Sequence, residues 1–336
     1  MRLSELLERD ILKISVGSIL SRFKIKRRRN VLFFEDILAE YISDCEKLYS
    51  KEMKEIAFSW AFITSQELIP NTLKKLPLSI LGNNIIKRIW KNFGIIDNFH
   101  LIKKNNTIIV NIENEYITRI IGENKFLIGF AEGSLSAVLN SKVSCKHVSQ
   151  TKNYCKYIFK IEKKQTVDKI YSKGKALYNN LNYIPISRGY SLKDMLKSNI
   201  LQLRKNKLYF RGKLLTLIEN TLFHLLSNKK ILLGKVSDIS YKYFSKLIDK
   251  DSSNNRKMNL IKNLLEAMGW GHIKILMKKD NIIVSIKNPP YGLQTENDNW
   301  EFLFRVIYGY LRLINKKFKI KNISYEQKKV TMKCSL

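Results

Sequence analysis

The feature that most constrains this chain is an internal repeat. The segment Lys103–Asn114 (KKNNTIIVNIEN) returns as Met277–Asn288 (MKKDNIIVSIKN), with Ile108 falling on Ile282, 174 residues on. Upstream, Arg27–Phe34 (RRRNVLFF) has a partner in Arg204–Phe210 (RKNKLYF), where Leu32 meets Leu208 at an offset of 176. Downstream, Glu132–Val143 (EGSLSAVLNSKV) corresponds to Tyr308–Phe318 (YGYLRLINKKF), with Asn140 and Asn315 at 175. Separated matches that agree this closely predict a tandem duplication. The copies would span 1–162 and 190–336, joined by the polar stretch 163–189 with its Gly174, Pro185 and Gly189. A length of 336 residues accommodates two domains.

Each copy reads in the same order. Apolar residues at helical spacing follow the basic run, at Ile37, Leu38, Tyr41 and Ile42 in the first copy and at Leu214, Leu215, Ile218, Leu222 and Leu225 in the second. Helices are expected again over 56–68 and 85–93, and over 236–248 and 260–268, the last of each pair stopped by Gly94 or Gly269. Two hairpins with Asn-rich turns come next, 99–112 and 273–286. A closing helix (125–139; 300–314) and a last hairpin (143–161; 318–334) complete the copy. Strands that come as local hairpins pair antiparallel. The expected fold class is therefore α+β, two similar domains, each with helices packed on one face of an antiparallel sheet.

Lys and Arg number 61 against 29 acids, a formal charge of +32. That excess makes an anionic partner such as RNA, DNA or an acidic surface a candidate, although Arg supplies only 14 of the 61 and a Lys/Asn/Ile-rich chain also follows from base composition. Lys26, Arg27, Arg28 and Arg29 in the first copy, and Arg204, Lys205, Lys207 and Arg211 in the second, occupy corresponding runs. A pseudo-twofold between the copies, an intramolecular pseudo-dimer, would bring the runs together as one solvated patch. The other reading of such a run is a charged sheet edge that discourages aggregation.

The four cysteines (Cys45, Cys145, Cys155, Cys334) form no CxxC pair, which fits a reducing compartment. The charged N-terminal stretch lacks the apolar core of a signal peptide, and no segment has the apolar length of a membrane span, so a cytoplasmic location is expected. Nucleotide-binding, metalloprotease and serine-hydrolase motifs are absent from the sequence, and no enzymatic activity and no cofactor are expected. Glu132, in a glycine-flanked helix, is read as facing solvent.

The run Gly129–Glu162, with Gly129 and Gly133 in a helix, Asn140 at a turn, Val143 opening a strand and the pair Tyr154-Cys155 on the next, resembles the closing part of the 4-vinyl reductase, or hydrocarbon-binding, domain family. The second copy keeps Gly309, Leu311, Asn315 and Phe318 without the Tyr-Cys pair, and is degenerate by that standard. The resemblance implies a shape shared with vesicle-tethering subunits and an apolar pocket between helices and sheet that binds a small molecule or lipid. Phe58, Phe62, Leu127 and Phe130 are the expected lining. Some sensor members hold zinc near this hairpin. The matching positions here would be Cys145, His147 and Cys155, but Ser144 stands where an acid is expected, which favours plain core and strand roles for the three.

Overall fold

The computed structural model of the chain describes residues 12–15, 18–22, 27–69, 71–92, 94–162, 189–204, 207–249, 251–290, 300–326 and 329–336. The interval 163–188, most of the expected linker, lies outside the described residues, as do Lys26 and Lys205.

The fold is α+β, with helices packed on antiparallel sheets. The described chain begins with β1 (Leu12–Ser15), β2 (Ser18–Arg22) and β3 (Arg27–Phe34), which runs directly into α1 (Glu35–Leu68). The two helices expected over 37–42 and 56–68 are one long helix, interrupted by non-helical geometry at Tyr49. Short turns follow: α2 (Asn71–Lys74), α3 (Leu78–Ile80), a π-helical stretch (Leu81–Ile86) and α4 (Lys87–Asn92). Gly94 ends them at φ 72°. The hairpin β4 (Asn98–Lys104) and β5 (Thr107–Glu113) turns through Asn105, whose φ of 52° an asparagine tolerates. After α5 (Thr118–Ile121) comes α6 (Lys125–Leu139). Asn124 caps α6 by accepting from the Leu127 amide at 2.9 Å, and Asn140 ends it in the left-handed region. β6 (Val143–Gln150) and β7 (Tyr154–Ile161) close the first half.

The second half opens with α7 (Leu192–Lys197), β8 (Leu201–Arg204), β9 (Lys207–Phe210) and β10 (Lys213–Glu219). It continues through α8 (Thr221–Lys229), α9 (Leu233–Phe244), α10 (Asn254–Ala267), β11 (His272–Lys278), β12 (Asn281–Lys287), α11 (Glu301–Leu311), β13 (Lys319–Glu326) and β14 (Lys329–Ser335). One expectation fails here. Leu214, Leu215 and Ile218 lie on strand β10, not on a helix. The preceding Arg211 and Gly212 both have positive φ, 48° and 77°, and form the two-residue loop between Phe210 and Lys213. Such a loop fixes a hairpin and overrides the helical spacing of the leucines.

The four-stranded sheets have matching orders, β4-β5-β7-β6 and β11-β12-β14-β13. A six-stranded sheet, β1-β2-β3-β10-β9-β8, takes three strands from each half and is joined by the antiparallel β3–β10 pair, in which Phe34 faces Leu215. By sheet position the counterpart of β3 is thus β10, whereas the sequence match aligned Arg27–Phe34 with the β9 region. The larger core cluster runs through both halves, from Phe33 and Tyr41 to Trp270 and Phe302. A smaller one, containing Phe99, Val110 and Phe159, lies on the β4–β7 sheet.

Two glycines set how closely helices pack. A Cβ on Gly133 of α6 would stand 2.2 Å from the Phe58 carbonyl oxygen of α1, and one on Gly309 of α11 would stand 2.5 Å from the Ser237 carbonyl oxygen of α9. These positions are 176 residues apart.

Candidate ligand cavity

The C-terminal half of α1, the turns 78–90, α6, the β4–β5 sheet and the end of β10 line a partly open cavity of about 230 Å³. Its wall is mostly aliphatic and aromatic. α1 contributes Trp60 and Thr64, spaced one turn apart on one face. The strands add Phe99 and Leu101 from β4 and Val110 and Ile112 from β5, residues that alternate inward along the pleat. Trp90 and Phe130 complete an aromatic side: ring centroids are 4.8 Å apart for Trp60–Phe130, 5.6 Å for Trp90–Phe130 and 5.7 Å for Trp90–Phe99.

Polar groups are few. Glu115 is 5% exposed, and its Oε2 accepts from the Tyr157 hydroxyl at 2.6 Å and the Thr118 hydroxyl at 2.9 Å. Burial raises its carboxyl above the usual range, while those hydrogen bonds pull the other way. Glu219 on β10 accepts from the Thr221 amide at 3.0 Å and the Thr64 hydroxyl at 3.2 Å. Tyr116 is buried beside Glu115, and its hydroxyl, like Trp60 Nε1, has no hydrogen-bond partner among the described residues.

Of the four residues expected to line a pocket, Phe130 does so. Phe58 and Phe62 stack on each other with centroids 6.0 Å apart, and Leu127 is in the core. Trp60, Trp90, Glu115 and Glu219 were not foreseen.

The basic residues are dispersed. Arg29 is not solvated as expected: it is 3% exposed, and its guanidinium donates to the carbonyls of Gly269 (3.1 Å) and Asn288 (2.8 Å). Lys207 pairs with Asp97 at 2.9 Å, and Arg211 donates to the Leu247 carbonyl. Arg204 is exposed and bonds to Gln202. Arg27 and Arg28 are placed only by their backbone, on β3. In the six-stranded sheet β10 lies between β3 and β9, the strands that carry Arg27–Arg29 and Lys207.

The candidate zinc residues do not converge. Cys145 and His147 stand two residues apart on β6, spacing that would share a strand face, but the β6–β7 register shifts between them, a bulge that re-aims the side chains. Cys155 is opposite Gln150, and its thiol is buried near Glu115. Burial pushes both thiols up. Among the described residues no group of three His, Cys, Asp or Glu is placed to hold a metal ion. Glu132, expected in solvent, is 7% exposed; it pairs with Lys54 at 2.9 Å and accepts from the Cys145 amide at 2.8 Å. No described helix is long and apolar enough to cross a membrane.

No family model matches the chain, and no curated protein matches it in sequence. Among solved structures it is similar to the phenol-responsive sensory domain of the transcription activator PoxR, crystallised with phenol, at 16% identity and a TM-score of 0.36, over 53% of this chain and 96% of that one.

Proposed function

We propose that the chain is a non-enzymatic binding module for a small apolar molecule, of the hydrocarbon-binding type that Gly129–Glu162 resembles. The observation that carries this reading is the cavity of about 230 Å³ with its aliphatic and aromatic wall. A void so lined holds water poorly and gains dispersion contacts from an apolar guest about the size of a substituted benzene. The shared strand order of the two four-stranded sheets and the paired glycines Gly133 and Gly309 support reading the chain as two copies. Phe223, Trp270 and Phe302 of the second half are buried and pack on Phe33 of the first, with centroids 5.4, 5.5 and 6.2 Å from it. Of the basic runs, Arg29, Lys207 and Arg211 are engaged within the protein.

The test is titration calorimetry with ethylbenzene on the wild type and on Ala131→Phe, which adds a ring to the cavity wall. Saturable binding by the wild type, at one site and lost in the folded variant, is the expected outcome. Equal binding by both proteins, or none by the wild type, would sink the assignment.

A further inference from the structure

The charged side chains among the described lining of the cavity have a single sign. In a chain of 61 basic residues, the described residues around the cavity include two carboxyls, Glu115 and Glu219, and no Lys, Arg or His. Both carboxyls are buried. Glu115 is held by the Tyr157 and Thr118 hydroxyls, which are neutral donors, and a cation brought by a guest supplies the counter-charge they do not. The aromatic side points the same way. The faces of Trp60, Trp90, Phe99 and Phe130 carry negative quadrupole charge, which attracts a cation and disfavours an anion. Glu115 is the better placed of the two acids: its hydrogen bonds come from the Tyr157 and Thr118 hydroxyls, both on Oε2, and from the Cys155 thiol, whereas both oxygens of Glu219 hold Thr221. Beside it, the buried Tyr116 hydroxyl without a partner supplies an additional acceptor.

Resting on the reading of this cavity as a small-molecule site, the geometry points to a hydrophobic amine as its ligand, the ammonium directed to Glu115 and the carbon body set against the Trp60–Phe130–Trp90 rings. The ammonium donates to the Glu115 carboxylate and to Tyr116. A carboxylate-headed guest such as a fatty acid finds no positive partner in the lining and meets Glu115 with like charge.

Calorimetry on the full chain at neutral pH with four probes of similar shape tests this: 2-phenylethylamine, 2-phenylethanol, phenylacetate and ethylbenzene. The expected order has the amine about tenfold or more tighter than the alcohol and the hydrocarbon, with phenylacetate not binding. An amine advantage below tenfold, or binding of phenylacetate, overturns the amine assignment but leaves an apolar site, shown by ethylbenzene. Failure of all four probes removes the apolar-site reading itself. Glu115→Gln should weaken the amine about tenfold and leave ethylbenzene unchanged. Equal weakening of both probes, or of neither, in the folded variant overturns the role given to Glu115, and should that variant not fold, the wild-type series still decides the ligand class.

Discussion

Arg119 Nε donates to Glu35 Oε1 at 2.7 Å, and Nη2 of the same guanidinium meets Oε2. Glu35 opens α1 directly after β3, and its side chain is 1% exposed. The same carboxylate accepts from the Ile117 amide at 3.2 Å and the Thr216 hydroxyl at 3.3 Å. It thereby holds α5, next to the cavity wall, against β10 of the other half. Ile117 sits at φ 66°, strained for a β-branched residue, and its amide bond to Glu35 secures that conformation. Replacing Arg119 with Met would leave a buried carboxylate without its counter-ion. A loss of about 3–5 kcal/mol is expected from urea unfolding. Arg119→Met combined with Glu35→Gln should recover part of the loss, and a double variant no more stable than Arg119→Met would show that the charge itself is not the cause.

Gly133→Ala places a methyl group against the Phe58 carbonyl, and α1 and α6 must separate to admit it. About 2–3 kcal/mol of destabilisation is expected. Gly234→Ala, where a Cβ meets nothing within 4 Å, is the control and should be neutral or slightly stabilising. Thermal melts of the two variants at equal concentration compare them directly. Similar melting temperatures for both would mean that close helix approach at Gly133 is not a constraint.

Arg29 and Arg204 were alike as members of basic runs but differ in the fold. Arg29→Met removes charged hydrogen bonds to Gly269 and Asn288 and should cost about 2–3 kcal/mol. Arg204→Met, on an exposed side chain, should stay within about 0.5 kcal/mol of wild type. Denaturant midpoints give both numbers, and a silent Arg29→Met would return that residue to the surface.

His224 makes the stability acid-sensitive. It is 4% exposed, and burial lowers its pKa from 6.5 to about 4. Its Nε2 lies 2.8 Å from the Asn228 amide nitrogen, a donor, so the neutral ring accepts there. The unfolded chain takes up a proton near pH 6.5 and the folded chain only near pH 4. The contribution is therefore whole above pH 6.5, falls as pH drops through that window, and is lost below about pH 4, roughly 3 kcal/mol in all. His224→Gln should flatten that part of the stability profile between pH 7 and 4; an unchanged slope would assign it to other groups.

Much of the fold was legible in the sequence because its signals are short-range. The hairpins at 98–113 and 272–287 follow from β-rich runs around a polar two-residue turn, and α6 from a repeating apolar face between Asn124 and Asn140. β10 is not legible from periodicity because a leucine run satisfies helical and strand spacing alike, and the Arg211-Gly212 turn decides between them. Phe130 could be named for the cavity since an aromatic residue on the closing helix must face something. Glu115 could not, because its acid acquires meaning only from what surrounds it.

By itself, the sequence determined the antiparallel hairpins, the closing helices and the repeat, since turn conformation, capping and periodicity act within a few residues. Only the tertiary structure decided that β3 pairs with β10, that Arg29 and Glu132 are buried, and that Glu115 and Glu219, more than a hundred residues apart, line one cavity. Those outcomes depend on which distant surfaces meet and exclude water, and the solvation of a charge is a property of that meeting rather than of the residue.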